Sequence, residues 1–67
     1  MTLGQRIIVL RRKKGWTQRR LALEMKSDIH SVCCWEKGKT EPSLYSFFRL
    51  CRTLGISFDE FMKGVEL

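Results

Sequence analysis

The sequence predicts an all-α fold, a compact bundle of five helices in a single domain spanning residues 1–67. Three observations support this prediction. Apolar residues recur at the three- and four-residue spacing of helices, and no segment alternates apolar and polar residues as a strand does. Polar residues suited to helix N-caps begin the segments, and glycines follow several of them. A chain of 67 residues is also short enough that one small core is all it can bury.

The first two segments have clear beginnings. Thr2 with Gln5 forms a capping box that opens a helix ending near Gly15. Thr17 is placed as the N-cap of a short second helix over roughly 17–25. The expected inward residues of the two helices are Leu3, Ile7, Leu10, Leu21, Ala22 and Met25.

The third segment completes a helix-turn-helix pattern over about 17–37. Asp28 or Ser27 can cap it, and Gly38 suits its C-terminal end. Its inward positions are predicted to be Val32, Trp35 and Glu36. Two short amphipathic helices joined by a tight turn, in a small basic chain, favour DNA as the partner.

The C-terminal segments, about 43–63, are predicted to form two more helices. Ser43 begins the fourth and Gly55 closes it, and Ser57 with Glu60 forms a second capping box for a short fifth helix. Both helices are expected to point apolar side chains inward. These are Leu44, Phe47, Leu50, Cys51, Leu54, Phe58, Phe61 and Met62.

The positive charge lies mostly in the N-terminal part. The net charge is +6, and residues 1–26 hold eight Lys or Arg against the single acidic residue Glu24, whereas residues 27–67 hold five against six. This asymmetry suits a polyanionic partner on one side of the molecule. A solvated basic face is the alternative that charge alone leaves open.

The cysteine pattern argues against a disulfide scaffold, because the count is odd and two cysteines are adjacent. His30, Cys33 and Cys34 fall within one helical turn, but zinc would need a fourth ligand. Adjacent helical residues also point about 100° apart, so Cys33 and Cys34 do not chelate together easily. We therefore expect reduced thiols, no metal and no cofactor.

Composition also bears on catalysis and location. A single histidine, with no paired carboxylates or nucleophile–base spacing, argues against an enzyme. No apolar run approaches the roughly 18 residues of a membrane span. Met1 leads directly into a capped segment instead of a signal peptide, so a cytoplasmic protein is expected, associated with the nucleoid when bound to DNA.

One set of residues follows a single unbroken register: Thr17-Gln18, Leu21-Ala22, Val32, Trp35-Glu36, Gly38, Pro42-Ser43, Leu44, Leu50, Leu54-Gly55 and Ser57-x-Asp59-Glu60. With these residues the chain, over about residues 3–62, resembles the XRE-type, phage-repressor-like helix-turn-helix family that includes Cro-like and cI-like repressors. The resemblance implies a third helix in the major groove, a second helix across the backbone, and dimeric binding to a pseudo-palindrome.

The resemblance assigns base-reading positions to Ile29, His30 and Cys34, with Cys33 beside them. Family members often carry Gln, Ser, Thr or Arg there, so this chain departs from the pattern. Recognition would then depend more on thymine methyl groups and DNA shape. For Ile29 the alternative is that it fills space left by Ser27, where the family usually has an aliphatic residue.

The resemblance also implies phosphate contacts at the start of the second helix and after the third. The residues are Thr17, Gln18, Arg19, Lys37, Lys39 and Thr40. Arg11 and Glu36 occupy positions where the family often has a partly buried ion pair. Lys26 replaces the usual turn glycine, which implies either a positive φ with strain of about 1 kcal/mol or a rearranged turn.

More apolar residues lie near the C-terminus than so small a core requires, which predicts a C2 homodimer through some of them. A monomer with an apolar C-terminal surface is the alternative. The residues are Phe47, Phe48, Ile56, Phe58, Met62, Val65 and Leu67.

The sequence-based conclusion is a sequence-specific, double-stranded DNA-binding transcription regulator, more consistent with a repressor than an activator. The second helix carries Arg19 and Arg20 in place of an acidic activating patch. Two alternatives stay open. One is a protein-interaction adaptor or coactivator of the same fold, and the other is an antitoxin or restriction-control regulator. A regulatory protein is a further conceivable partner.

Overall fold

Five α-helices joined by short turns make up most of residues 1–66, the part of the chain that the computed structural model describes. No β-strand occurs in this part, and the prediction of an all-α fold with five helices is confirmed. The helices are α1 (Leu3–Lys13), α2 (Gln18–Met25), α3 (Ile29–Lys37), α4 (Leu44–Leu54) and α5 (Phe58–Phe61).

Each helix begins at a polar N-cap whose side-chain oxygen accepts a hydrogen bond from the backbone N–H three residues later. The five caps are Thr2, Thr17, Asp28, Ser43 and Ser57. At Thr2 the capping box is complete, because the Gln5 side chain also accepts from the Thr2 backbone N–H.

The second predicted capping box, at Ser57, is only half formed. The Ser57 hydroxyl accepts from the Glu60 backbone N–H, but the Glu60 carboxylate turns toward two cations instead of the Ser57 backbone. It lies 3.6 Å from the Arg6 guanidinium and 3.8 Å from the Lys63 ammonium. The prediction was wrong here because a tertiary ion pair competes with the local hydrogen bond.

The core lies where α1, α2, α3 and α4 meet, and the short α5 closes one end of it. Phe47 packs edge-to-face against Phe58 and Phe61, with ring centroids 5.3 and 4.8 Å away. The buried apolar residues are Ile7, Leu10, Leu21, Ala22, Met25, Val32, Trp35, Phe47, Leu50, Cys51, Leu54 and Phe61.

Two expectations about α4 and α5 were wrong. Leu44, predicted to point inward, is 70% exposed, because it is the first residue of α4 and projects beyond the core. Phe58 is 53% exposed, although one edge of its ring contacts Phe47. Phe47, which was predicted to point inward and was also among the apolar residues considered for the dimer surface, is buried. Leu67, also proposed there, lies outside the described residues.

A buried arginine that the sequence analysis counted only as positive charge connects the two ends of the fold. Arg6 donates from Nε to the carbonyl of Phe61 at 2.8 Å and from its terminal nitrogen to the carbonyl of Glu60 at 2.7 Å. These carbonyls belong to the last residues of α5, where backbone acceptors lack helical partners. Arg6 therefore caps α5 and attaches it to α1.

The turn between α2 and α3 keeps the left-handed geometry that glycine usually provides. Lys26 has φ 55° and ψ 42°, and its backbone N–H donates to the carbonyl of Leu23. The rearranged turn that the sequence left open is not observed. The guanidinium of Arg49 on α4 donates to the carbonyl of Met25, so α4 holds the end of α2 in place.

Candidate nucleic-acid interface

Helix α3 has two faces with different environments. Val32 and Trp35 point into the core and are 0% and 7% exposed. On the opposite face Ile29 is 39% exposed and His30 is exposed, whereas Cys33 and Cys34 are half-buried. The outer face of α3, defined by Ile29, His30, Cys33 and Cys34, is thus open along one side of the molecule.

The inner face of α3 is held by an unusually close approach of α1. A methyl group at Gly4 would lie 2.4 Å from the carbonyl oxygen of Trp35 and 2.8 Å from that of Glu36. No side chain fits at such distances, so the absence of a Cβ lets the two backbones touch. The first turn of α1 therefore fixes the last turn of α3.

A buried ion pair also attaches α3 to α1. Arg11 donates from Nε and a terminal nitrogen to the two carboxylate oxygens of Glu36, at 2.7 and 3.0 Å, and from its other terminal nitrogen to the carbonyl of Trp16 at 2.9 Å. Both side chains are at least nine-tenths buried. The paired geometry is the strong, bidentate form of an arginine–carboxylate interaction.

Gln18 joins this network from the first turn of α2. Its amide nitrogen donates to Glu36 Oε1 at 2.9 Å, so one carboxylate connects α1, α2 and α3. The resemblance assigned Gln18 a phosphate contact, and its bond to Glu36 adds a role in positioning α3. The structure provides a physical basis for the positioning role, and the phosphate contact stays a prediction. A second amide N–H of Gln18 is left for another acceptor.

The N-terminal end of α3 is fixed by Asp28. Its carboxylate accepts from the Ser31 backbone N–H at 2.8 Å, and that hydrogen bond is the main reason the pKa of Asp28 lies below its ordinary value. Because the pKa is lowered on folding, the cap stabilises the protein above the ordinary pKa and is lost as pH falls through the lowered value. Asp28 is therefore anionic at neutral pH, beside His30.

Two polar atoms meet on the outer face. The Nε2 atom of His30 lies 3.5 Å from the Sγ atom of Cys34, one helical turn later. The Cys33 thiol has no such contact with His30. The face therefore offers an aliphatic group at Ile29, an imidazole, and two thiols, of which one is close to the imidazole.

Exposed basic and hydroxyl groups flank this face. The predicted phosphate contacts Thr17, Arg19, Lys37, Lys39 and Thr40 are all exposed, at the start of α2 and around the end of α3. Their contacts with a phosphate stay predictions, and the structure shows that solvent reaches them.

Not every basic residue of the N-terminal part is free to meet a polyanion. Arg6 and Arg11 are buried with partners inside the protein. Arg20 lies 2.8 Å from the Glu24 carboxylate and 5.2 Å from the ring centroid of Trp16. The excess of positive charge that the sequence suggested for this region is therefore smaller at the surface.

A family comparison agrees with this geometry. Residues 7–61 match the model of a family described as helix-turn-helix. The chain belongs to the XRE-type helix-turn-helix family. The matched range contains the core from Ile7 to Phe61 and the whole of the helix-turn-helix unit, α2 and α3 with the turn at Lys26.

Two curated relatives extend the comparison. The HTH-type transcriptional regulator DicA of Escherichia coli (strain K12) is 39% identical over 57 residues, which are 85% of this chain and 42% of DicA. The SPbeta prophage-derived uncharacterized HTH-type transcriptional regulator YonR of Bacillus subtilis (strain 168) is 34% identical over 63 residues, 94% of this chain and 58% of YonR. The chain thus spans about half the length of these relatives.

The cysteines of this helix-turn-helix chain are free thiols. Cys51 lies in the core, and burial raises the pKa of its thiol, so it is protonated at neutral pH. Within residues 1–66, no three His, Cys, Asp or Glu side chains are arranged to hold a metal ion.

The helices α1 to α5 are also short. None of those described in residues 1–66 has the length and hydropathy needed to cross a bilayer.

Proposed function

We propose that this chain is a sequence-specific, double-stranded DNA-binding transcription regulator. Helix α3 enters the major groove with its outer face toward the bases, and α2 lies across the sugar-phosphate backbone. The observation that supports this most strongly is the division of α3. Its inner face is held by Gly4 and by the Arg11–Glu36–Gln18 network, while its outer face is left open.

The outer face reads bases mainly through shape and apolar contact. Ile29 contacts a thymine methyl group, and His30 donates to guanine N7 or O6. Cys33 and Cys34 contribute small apolar contacts and weak hydrogen bonds. Because Ile29 is 39% exposed, part of its side chain is available for this role.

Phosphate contacts orient the reading helix without selecting sequence. Thr17, Gln18 and Arg19 lie at the N-terminal end of α2, where backbone N–H groups favour an anion. Lys37, Lys39 and Thr40 contact the backbone from the other end of α3. Gln18 has one amide N–H on Glu36 and another for a phosphate, which would transmit backbone binding to α3.

Repression by a dimer is the specific form that we propose. A groove of about 840 Å³ runs between the start of α1, the loop before α4, and the C-terminal residues. Its exposed apolar edges are Leu44 and Phe58. A second copy of the chain covers this groove in a C2 dimer, whose two α3 helices read half-sites about 34 Å apart. Bound in this way, the dimer excludes polymerase from the operator.

The dimer is tested by sedimentation over a range of concentrations. Leu44→Glu places a charge on the edge of the groove and should shift the equilibrium to monomers. Leu23→Glu is the matched control, since Leu23 is also about 70% exposed but lies outside the groove. A monomeric parent protein on DNA, or equal effects of both substitutions, would reject the proposed interface.

DNA binding itself is tested by gel shift at several salt concentrations. Arg19→Ala and Lys39→Ala should each weaken binding to all duplexes and flatten the slope of log K against log salt by about one unit. Arg52→Ala removes an exposed charge on α4, outside the residues proposed to contact phosphates, and should leave the slope unchanged. If the parent protein binds no duplex even in dilute salt, the alternative of a protein-interaction adaptor is favoured.

A further inference from the structure

The contact between His30 and Cys34 has the geometry of two neighbouring ligands of a metal ion. A tetrahedral zinc ion with Zn–S of about 2.3 Å and Zn–N of about 2.0–2.1 Å places the two ligand atoms about 3.5–3.6 Å apart. The observed separation between His30 Nε2 and Cys34 Sγ is 3.5 Å. The distance also suits a thiol–imidazole hydrogen bond, in which a proton occupies the position that the metal would take.

The two ligands lie on one rigid scaffold. They are four residues apart on α3, so their side chains project from the same side of successive turns. Asp28 caps the start of the helix and Gly38 its end, and the buried contacts of Val32 and Trp35 fix its backbone. The pair therefore needs little rearrangement to bind an ion.

The surroundings also admit a cation. His30 is exposed and Cys34 is half-buried, so an ion at the pair keeps water molecules as its remaining ligands. The Asp28 carboxylate, which caps α3, lies two residues before His30 in the sequence. Cys33, which the sequence analysis grouped with this pair, is not required, and that removes the objection that adjacent cysteines point apart.

We propose that His30 and Cys34 form a two-ligand site for a thiophilic divalent cation of the zinc class on the outer face of α3. The ion forms bonds to the thiolate sulfur and to the imidazole nitrogen, the Cys34 thiol releases one proton to solvent, and no oxidation is involved. The expectation of no metal, drawn from the sequence, rested on the missing fourth ligand of a zinc site and on the divergence of Cys33 and Cys34, and a two-ligand site at His30 and Cys34 depends on neither.

The regulatory consequence rests on the proposed function. A hydrated ion on the outer face occupies the space of a base edge and removes His30 from hydrogen bonding. Zinc should therefore lower affinity for a preferred duplex about ten- to a hundredfold, the loss expected for one good base contact. Binding of the ion and binding of DNA would exclude one another.

The site is tested on the whole chain, kept reduced with a non-chelating phosphine, by titration with Co²⁺. The sulfur-to-cobalt charge-transfer absorption should appear in the parent protein and disappear on addition of excess zinc. The charge-transfer absorption should be absent from Cys34→Ser and strongly weakened in His30→Gln. Cys33→Ser, which removes the neighbouring half-buried thiol, should keep the absorption. All three variants alter the open side of α3 and should retain the parent helical circular dichroism.

No charge-transfer absorption in the parent, or absorption that survives Cys34→Ser, would overturn the site. A second measurement compares duplex affinity with and without zinc for each protein, so that any change in basal affinity cancels. The parent should respond and Cys34→Ser should not. If cobalt binds as expected but zinc leaves duplex affinity unchanged, the metal site stands and the placement of the outer face against bases is wrong.

Discussion

The two faces of α3 differ in burial and in their contacts with the rest of the chain, although they belong to one helix of nine residues. The inner face contacts three parts of the chain: Gly4 on α1, the Arg11 guanidinium, and the Gln18 amide on α2. Among residues 1–66, the only side-chain hydrogen bond of the outer face is the weak contact between His30 and Cys34. If the outer face reads bases as proposed, stability and recognition belong to opposite sides of the same helix, and substitutions on the two sides should have separable effects.

The largest effect is expected from removal of the buried Glu36 carboxylate on the inner face of α3. Glu36→Ala leaves Arg11 without its bidentate partner in a desolvated position and should cost about 3–5 kcal/mol of unfolding free energy. That is comparable to the whole stability expected from a core of this size, so much of the protein should lose its helical circular dichroism at room temperature.

The matched control is Glu24→Ala, which breaks the ion pair between Glu24 and Arg20. Both partners there are more than a third exposed, so the loss should be about 0.3–0.5 kcal/mol, as for other exposed pairs four residues apart on a helix. Equal losses in the two variants, measured by urea unfolding, would contradict the structural role of the Arg11–Glu36 pair.

A second challenge concerns the close approach of α1 to α3. Alanine is usually the better helix former, so Gly4→Ala in an exposed helix would stabilise by about 0.5–1 kcal/mol. Here the added methyl group collides with two backbone carbonyls, and a loss of about 1–3 kcal/mol is expected. Urea unfolding shows whether Gly4→Ala raises or lowers the unfolding free energy. An increase would show that α1 and α3 are not in contact at this point.

The substitution with the smallest expected effect tests the geometry of the turn between α2 and α3. Lys26→Gly should stabilise the protein by up to about 1 kcal/mol, because glycine removes the Cβ strain at φ 55°. Lys26→Ala keeps that Cβ and should be close to neutral. Destabilisation by glycine in a thermal melt, relative to alanine, would mean that the turn is not left-handed.

The helix boundaries could be predicted because their causes are local. A cap joins a side chain to a backbone N–H three residues away, so an N-cap can be recognised from the nearby sequence. This holds for Thr2, Thr17, Asp28, Ser43 and Ser57. The inward positions of α3 follow equally from helical spacing. Resemblance to a family then supplied the register that spacing alone does not give.

The contacts that could not be predicted from the sequence join residues that lie far apart along the chain. Arg6 reaches a carbonyl 55 residues away, so nothing local distinguishes it from an exposed arginine. The same holds for Gln18, whose amide meets Glu36 18 residues later. Leu44 was misplaced because helical spacing does not show where a helix extends beyond its core.

The central claim, that the outer face of α3 reads bases, is tested most directly by selecting bound sites from random duplexes with the parent protein and His30→Ala. The claim predicts an enriched pseudo-palindrome for the parent. It also predicts loss of preference at one base pair of each half-site in the variant, worth about 1–3 kcal/mol, while unfolding free energy changes by less than about 0.5 kcal/mol. Identical enriched sequences for the two proteins, or no enrichment by the parent, would contradict it.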